Sequence, residues 1–161
     1  MDRQAKKKVA QWLYSIPRTE LAIKNLEESL EALETRRESP PTWMSNPDAL
    51  GVMGGVGGSR QETWVEFLDE YPARKSYLED VLQQHRRKVR MYYDTLDAMQ
   101  AEHWGSLGRE IINYKYYRHI HPDLKIYSLL LFSTKETYYR VNRRSLQYFW
   151  DVIAGLKIVL C

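Results

Sequence analysis

Residues 62–101 read ETWVEFLDEYPARKSYLEDVLQQHRRKVRMYYDTLDAMQA, and this stretch decides the fold. Trp64, Leu68, Tyr71, Lys75, Leu78, Leu82, His85, Val89, Tyr92, Leu96 and Met99 recur at alternating steps of four and three. Such steps keep returning to one stripe of a helix, because a turn holds 3.6 residues. Lys75 and His85 are the only members of the stripe that are neither apolar nor aromatic. A helix of about 40 residues would be about 60 Å long. That is too long for a compact bundle of this size, so the seam should pair with a second long helix, in the same chain or in another copy. A homodimer through Leu78, Leu82, His85, Val89, Tyr92 and Leu96 is one such arrangement. Pro72 predicts a kink or a start near Tyr71.

Working toward the N-terminus, residues 39–60 contain three prolines and five of the chain's eight glycines. The run Gly54-Gly55-Val56-Gly57-Gly58 favours no regular element and reads as a linker or loop. No lysine follows it in the context of a phosphate-cradling loop. Before the linker, a helix is expected from Arg3 to Glu38, interrupted at Pro17. Beyond that break Ile23, Leu26, Leu30 and Leu33 form a second seam, with glutamates and Lys24 on the solvent side.

Toward the C-terminus, Gly105-Ser106-Leu107-Gly108 should end the long helix. A short amphipathic helix from Arg109 to Arg118 then buries Ile111, Ile112 and Tyr116. His119-Ile120-His121-Pro122 connects it to a helix from Asp123 to Leu131, with Leu124, Tyr127, Leu130 and Leu131 inward. Ser133-Thr134-Lys135-Glu136 matches a capping box. The helix behind it, Thr134 to Ala154, has a buried stripe of Tyr138, Val141, Ser145, Phe149 and Val152. Its other face carries Lys135, Thr137, Tyr139, Arg140, Arg143, Arg144 and Gln147. Two helices joined by a short turn, the second basic outside, make a helix-turn-helix. The expectation is therefore an all-α protein: long coiled-coil-like helices followed by a C-terminal helix-turn-helix. It divides into an N-terminal helical segment (1–38), a Gly/Pro-rich linker (39–61), a long scaffold or oligomerisation helix (62–104) and a DNA-binding segment (105–161).

Composition narrows the function. Hydrophobic residues are 43% and charged residues 28%, as in a globular chain and unlike a disordered one. Twelve tyrosines and five tryptophans against three phenylalanines suit half-wet surfaces. The longest apolar run, Ile126–Phe132, is seven residues and contains Ser128, whereas a bilayer span needs about 20. The single cysteine, Cys161, leaves no internal disulfide, and no apolar leader follows Met1. A cytoplasmic protein is expected. There is no Walker Gly-Lys-Ser/Thr, no Gly-x-Ser-x-Gly and no Cys–His pair, so an enzyme is not expected. His119, His121 and Asp123 offer three donors within five residues but no fourth nearby. Neither a metal nor a cofactor is expected. The net charge of +3 conceals a basic C-terminal third: residues 109–161 hold nine basic and four acidic residues, a net +5. That balance suits nucleic acid.

The stretch Leu107–Tyr117 (LGREIINYKYY), then Ile126-Tyr127, Ser133–Arg140 (STKETYYR) and Arg144-Ser145-Leu146, resembles region 4 of sigma-70-type factors. More closely, the chain is similar to the ArpU/RinA-type phage regulators of late-gene transcription. The resemblance covers the layout of most of the chain, and residues 107–160 as a motif. It implies sequence-specific binding of double-stranded DNA and activation of phage late genes for packaging, structure or lysis. Host RNA polymerase would be the protein partner, inside the host cytoplasm. By position, Lys135, Thr137, Tyr139 and Arg140 would read bases, while Ser133, Thr134, Arg143, Arg144 and Lys125 would meet phosphates. Two alternatives accompany it: a small-terminase-like DNA-packaging component, and a protein-interaction module that binds polymerase.

Overall fold

The computed structural model describes residues 2–40 and 57–155. Every regular element among them is helical: α1 (Arg3–Tyr14), α2 (Ile16–Glu38), α3 (Gly57–Met99), α4 (Gly105–Ile112), α5 (Asp123–Leu129) and α6 (Lys135–Gly155). A π-helical turn, Asn113–Tyr117, extends α4. The all-α expectation holds. Most of the linker assigned to 39–61, including Gly54–Val56, lies outside the described residues. Gly57 and Gly58, read as loop, instead open α3.

Local chemistry explains the starts and stops. Asp2 caps α1 by accepting the Ala5 amide at 2.6 Å. The break predicted at Pro17 falls at Ser15, and Pro17 sits in the first turn of α2, where a missing N–H costs little. Pro72 neither starts nor ends a helix, since α3 runs through it. The long helix stops at Met99, and a turn over 100–104 leads into α4 at Gly105, earlier than the Arg109 start expected from sequence. A Cβ at Gly105 would overlap the Met99 carbonyl oxygen, so the reversal needs glycine there. At Gly108 a Cβ would lie 2.6 Å from Ser145 Oγ, which makes this glycine the close-approach point of α4 and α6.

The chain forms two compact units. Unit 2, residues 21–86, is an antiparallel hairpin of α2 and the first part of α3. Leu33, Trp64, Phe67 and Tyr71 form its core, with Leu78 packed against them. Arg36 and Arg37 lie over the rings of Phe67 and Tyr71 at 4.2 and 4.8 Å. Lys75–Glu34 and Arg86–Glu27 ion pairs, both 2.6 Å, tie the helices along their length. Seam position Leu68 remains exposed, while Leu82 is buried and His85 is half-buried. This part of the seam is thus met by α2 of the same chain.

Unit 1, residues 1–20 and 87–161, gathers both ends of the sequence. Its main core joins Val9, Trp12, Leu13 and Ile16 to Tyr92, Leu96 and Met99, then to Ile112, Tyr116, Leu146, Phe149 and Ile153. Residues 105–155 therefore share a core with α1 and the end of α3, unlike the separate C-terminal segment expected from sequence. Tyr92 and Leu96, expected at an oligomer seam, are interior here, and Val89 is half-buried. Glu20 accepts hydrogen bonds from Tyr93 (2.7 Å) and Tyr117 (2.6 Å), fastening the start of α2 to two other elements. A second cluster, Ile111, Ile126, Phe132, Tyr138 and Val141, holds α5 against α4 and α6.

Candidate nucleic-acid interface

The α5–α6 pair carries the residues expected to meet DNA. Five residues, 130–134, connect the two helices. Leu131 adopts the left-handed conformation, with φ of 51°, and its side chain is 88% exposed. It was expected to point inward, as was Leu124, which is also exposed. The helix is two residues shorter than its apolar run suggested, so Leu131 falls outside it, and Ile126 supplies the buried anchor instead. Thr134 caps α6, its Oγ1 accepting the Thr137 amide at 3.2 Å. The expected Ser133 cap is displaced by one residue, because Lys135 is the first helical position.

Along α6, Tyr138, Val141, Asn142, Ser145, Leu146, Phe149 and Ile153 are buried. Val152, expected inside, is half-exposed, and Ile153 takes that place. The stripe drifts around the helix by one residue over four turns, as a 3.6 period requires. Tyr116 donates to Asn142 Oδ1 at 3.2 Å, which satisfies the buried amide oxygen. Opposite this stripe, Lys135, Tyr139, Arg140, Arg143 and Arg144 are exposed, and none of the four cations makes an ion pair among the described residues. Thr137 is half-buried, and its hydroxyl lies 3.0 Å from Thr134 Oγ1. Lys125, Ser133 and Thr134 are exposed beside the same turn. The face expected from sequence is therefore brought together, with Thr137 only partly available.

Charge segregates between the units more sharply than along the sequence. Residues 1–20 and 87–161 contain 17 basic and nine acidic residues, a net +8, whereas 21–86 contain seven and 12, a net −5. Linear sequence hides this contrast because the basic Arg3, Lys6, Lys7 and Lys8 join the C-terminal unit. The two turn histidines serve packing: His119 stacks on Tyr14 at 5.2 Å, and His121 Nε2 is 3.4 Å from its hydroxyl. No group of three metal-ligating side chains occurs among the described residues.

Buried phenols give this unit an alkaline limit. Burial is the largest influence raising the pKa of Tyr92, Tyr116 and Tyr138 above the ordinary 10.0. Below pH 10 these groups are protonated in both states, and their contribution is fully present. Above it the unfolded chain loses protons that the folded chain keeps, so stability falls as pH rises. For three such groups the slope is about 2 kcal/mol per pH unit at pH 10 and approaches about 4 by pH 11. Urea midpoints should drop steeply between about pH 10 and 11. Phenolate absorbance from all 12 tyrosines near pH 10, with the fold intact, would contradict this.

No family model, curated protein or solved structure matches the chain. Among the described residues no helix is long and apolar enough to cross a membrane.

Proposed function

We propose that the α5–α6 pair is a DNA-binding helix-turn-helix, that α6 reads duplex DNA in the major groove, and that the protein activates phage late-gene transcription. The observation carrying the DNA reading is the unpaired basic face of α6 on the unit of net +8. Cations left without carboxylate partners are free to displace counterions from phosphates. Leu131 supports the motif, because its left-handed backbone sits where such turns usually place glycine. The phage and late-gene parts rest on the sequence resemblance alone.

In this reading Lys135, Tyr139 and Arg140, in the first two turns of α6, face base edges, and Thr137 contributes its hydroxyl. Arg143, Arg144, Lys125, Ser133 and Thr134 hold the backbone on either side. Host RNA polymerase is the proposed protein partner. A dimer would place two recognition helices on one operator. Its contact would lie outside Leu82, Tyr92 and Leu96, which are buried within one chain.

Selection of bound fragments from a random duplex pool, near physiological salt, tests this directly. An enriched motif is expected. Arg143→Ala with Arg144→Ala should weaken binding to every sequence alike and reduce the magnitude of the salt slope by roughly 2. Arg140→Ala should cost about 1–3 kcal/mol at a single base position. Retention without a motif would favour a packaging role, and no retention at low salt would sink the DNA reading.

A further inference from the structure

Between α5 and the start of α6 lies a cleft of about 280 Å³, lined by Pro122, Asp123, Leu124, Tyr127, Lys135, Tyr138 and Tyr139. Its size suits a fragment-sized molecule, since drug-sized ligands occupy about 300–1,000 Å³. Three observations define what could enter. First, Tyr138 is only 1% exposed, and its hydroxyl has no hydrogen-bond partner among the described residues. Buried polar atoms are nearly always paired, because desolvation without a partner is costly. Asp123, in the wall of the same cleft, adds its negative charge to the larger effect of burial in raising the Tyr138 pKa. The phenol therefore stays protonated and able to donate.

Second, the Asp123 carboxylate is already neutralised. Lys115 Nζ lies 2.7 Å from each of its oxygens, and both residues are largely shielded. Lys135, at the exposed rim, has no ion pair among the described residues, so the cleft carries one uncompensated positive charge. Third, the remaining lining is aromatic and aliphatic. Tyr139 and Leu124 line the cleft yet remain 53% and 59% exposed. Rings of this kind favour a flat ligand by stacking.

We propose that this cleft binds a small planar aromatic acid, with an acceptor atom on the Tyr138 hydroxyl, its ring against Tyr127, Tyr139 and Leu124, and its carboxylate on Lys135. Lys135 and Tyr139 also belong to the DNA face proposed above, and resting on that reading, the bound acid competes with DNA. The protein is then a regulator released from its operator by an aromatic acid.

The probe is 4-hydroxybenzoate, titrated into the full chain by calorimetry. With about ten non-hydrogen atoms it should bind with a dissociation constant on the order of 0.1–1 mM. The neutral 4-hydroxybenzyl alcohol and the non-planar 4-hydroxycyclohexanecarboxylate should each bind at least about tenfold more weakly, the loss of one charge-assisted or stacking contact. Tyr138→Phe and Lys135→Met should each weaken the probe about tenfold. Tyr138→Phe should not lower the thermal midpoint, since it removes an unpaired hydroxyl. Saturating probe should weaken DNA binding by the wild-type chain, and about tenfold more probe should be needed with Tyr138→Phe. No saturable binding up to about 10 mM, well beyond what this ligand size predicts, overturns the site. Equal binding of the neutral alcohol, or binding untouched by both substitutions, overturns it too. Probe binding as expected by a chain that binds no DNA leaves the site standing, and only the DNA reading falls.

Discussion

A fragment holding only residues 105–161 is expected to be unfolded in solution, whereas the full chain folds. Sequence suggests the opposite, because the fragment contains every helix of the proposed DNA-binding motif. In the structure its apolar side chains face a core that the fragment lacks. Leu146, Phe149 and Ile153 share one cluster with Val9, Trp12, Leu13 and Ile16 of α1 and α2, and with Tyr92, Leu96 and Met99 of α3. Removing these seven partners forfeits about 1.5–3 kcal/mol for each apolar side chain no longer buried. For the five fragment side chains in this core, Ile112, Tyr116, Leu146, Phe149 and Ile153, the total is about 7–15 kcal/mol, comparable with the roughly 5–15 kcal/mol that holds a whole domain together. The Tyr117–Glu20 hydrogen bond is lost as well. Far-UV circular dichroism and amide NMR dispersion of the fragment provide the measurement. A cooperative thermal transition in the fragment would show that the smaller cluster around Ile126 and Tyr138 suffices alone.

Phe149→Ala is expected to destabilise the full chain by about 3–5 kcal/mol, the usual cost of removing a buried phenylalanine without collapse of the space. Phe149 is fully buried, and its ring lies 6.2 Å from that of Trp12 and 6.0 Å from that of Tyr92. It touches one ring from each of two distant segments, so neither can move in to fill the gap without leaving its own helix. The neighbouring Val152→Ala should cost less than about 1 kcal/mol, because Val152 is half-exposed. Urea unfolding of the two variants beside the wild type separates these outcomes. Equal losses at both positions would mean that the buried face of α6 is centred one residue earlier.

Much of the fold is legible locally. The four-three seam specifies a long helix, and α3 spans all of it, without the helix start that Pro72 predicts near Tyr71. Ile111, Ile112, Tyr116, Tyr138, Val141, Ser145 and Phe149 are predicted inside and are buried. These assignments depend only on periodicity, which neighbouring residues fix among themselves. Misplacements cluster at helix ends. Leu131 follows an apolar run but lies past the last turn of α5, and Thr134 displaces Ser133 as the cap. Both shifts are of one or two residues, where competing caps differ little in free energy.

The exposed face of α6 was equally legible, since fixing the buried stripe fixes its opposite. The cleft beside it was not. Its walls come from residues 122–127 and 135–139, whose approach depends on the turn at 130–134 and on the packing of Phe132 against Tyr138. An unpaired hydroxyl is a property of three-dimensional neighbours, and Tyr138 in sequence differs in no way from a tyrosine that finds a partner.

By itself the sequence determined that this protein is all-α, that the seam from Tyr71 to Met99 lies on one long helix, and that α6 has an apolar and a basic side. Tertiary structure alone decided that the seam is shared between two cores, that the first 20 residues complete the C-terminal core, and that a net +8 unit stands apart in composition from a net −5 hairpin. The physical reason is that a helical stripe records how much apolar surface must be covered, at a spacing set by the backbone. Which distant segment covers it depends on shape and on chain reversals such as that at Gly105, where a single missing Cβ directs α4 back toward the first helix.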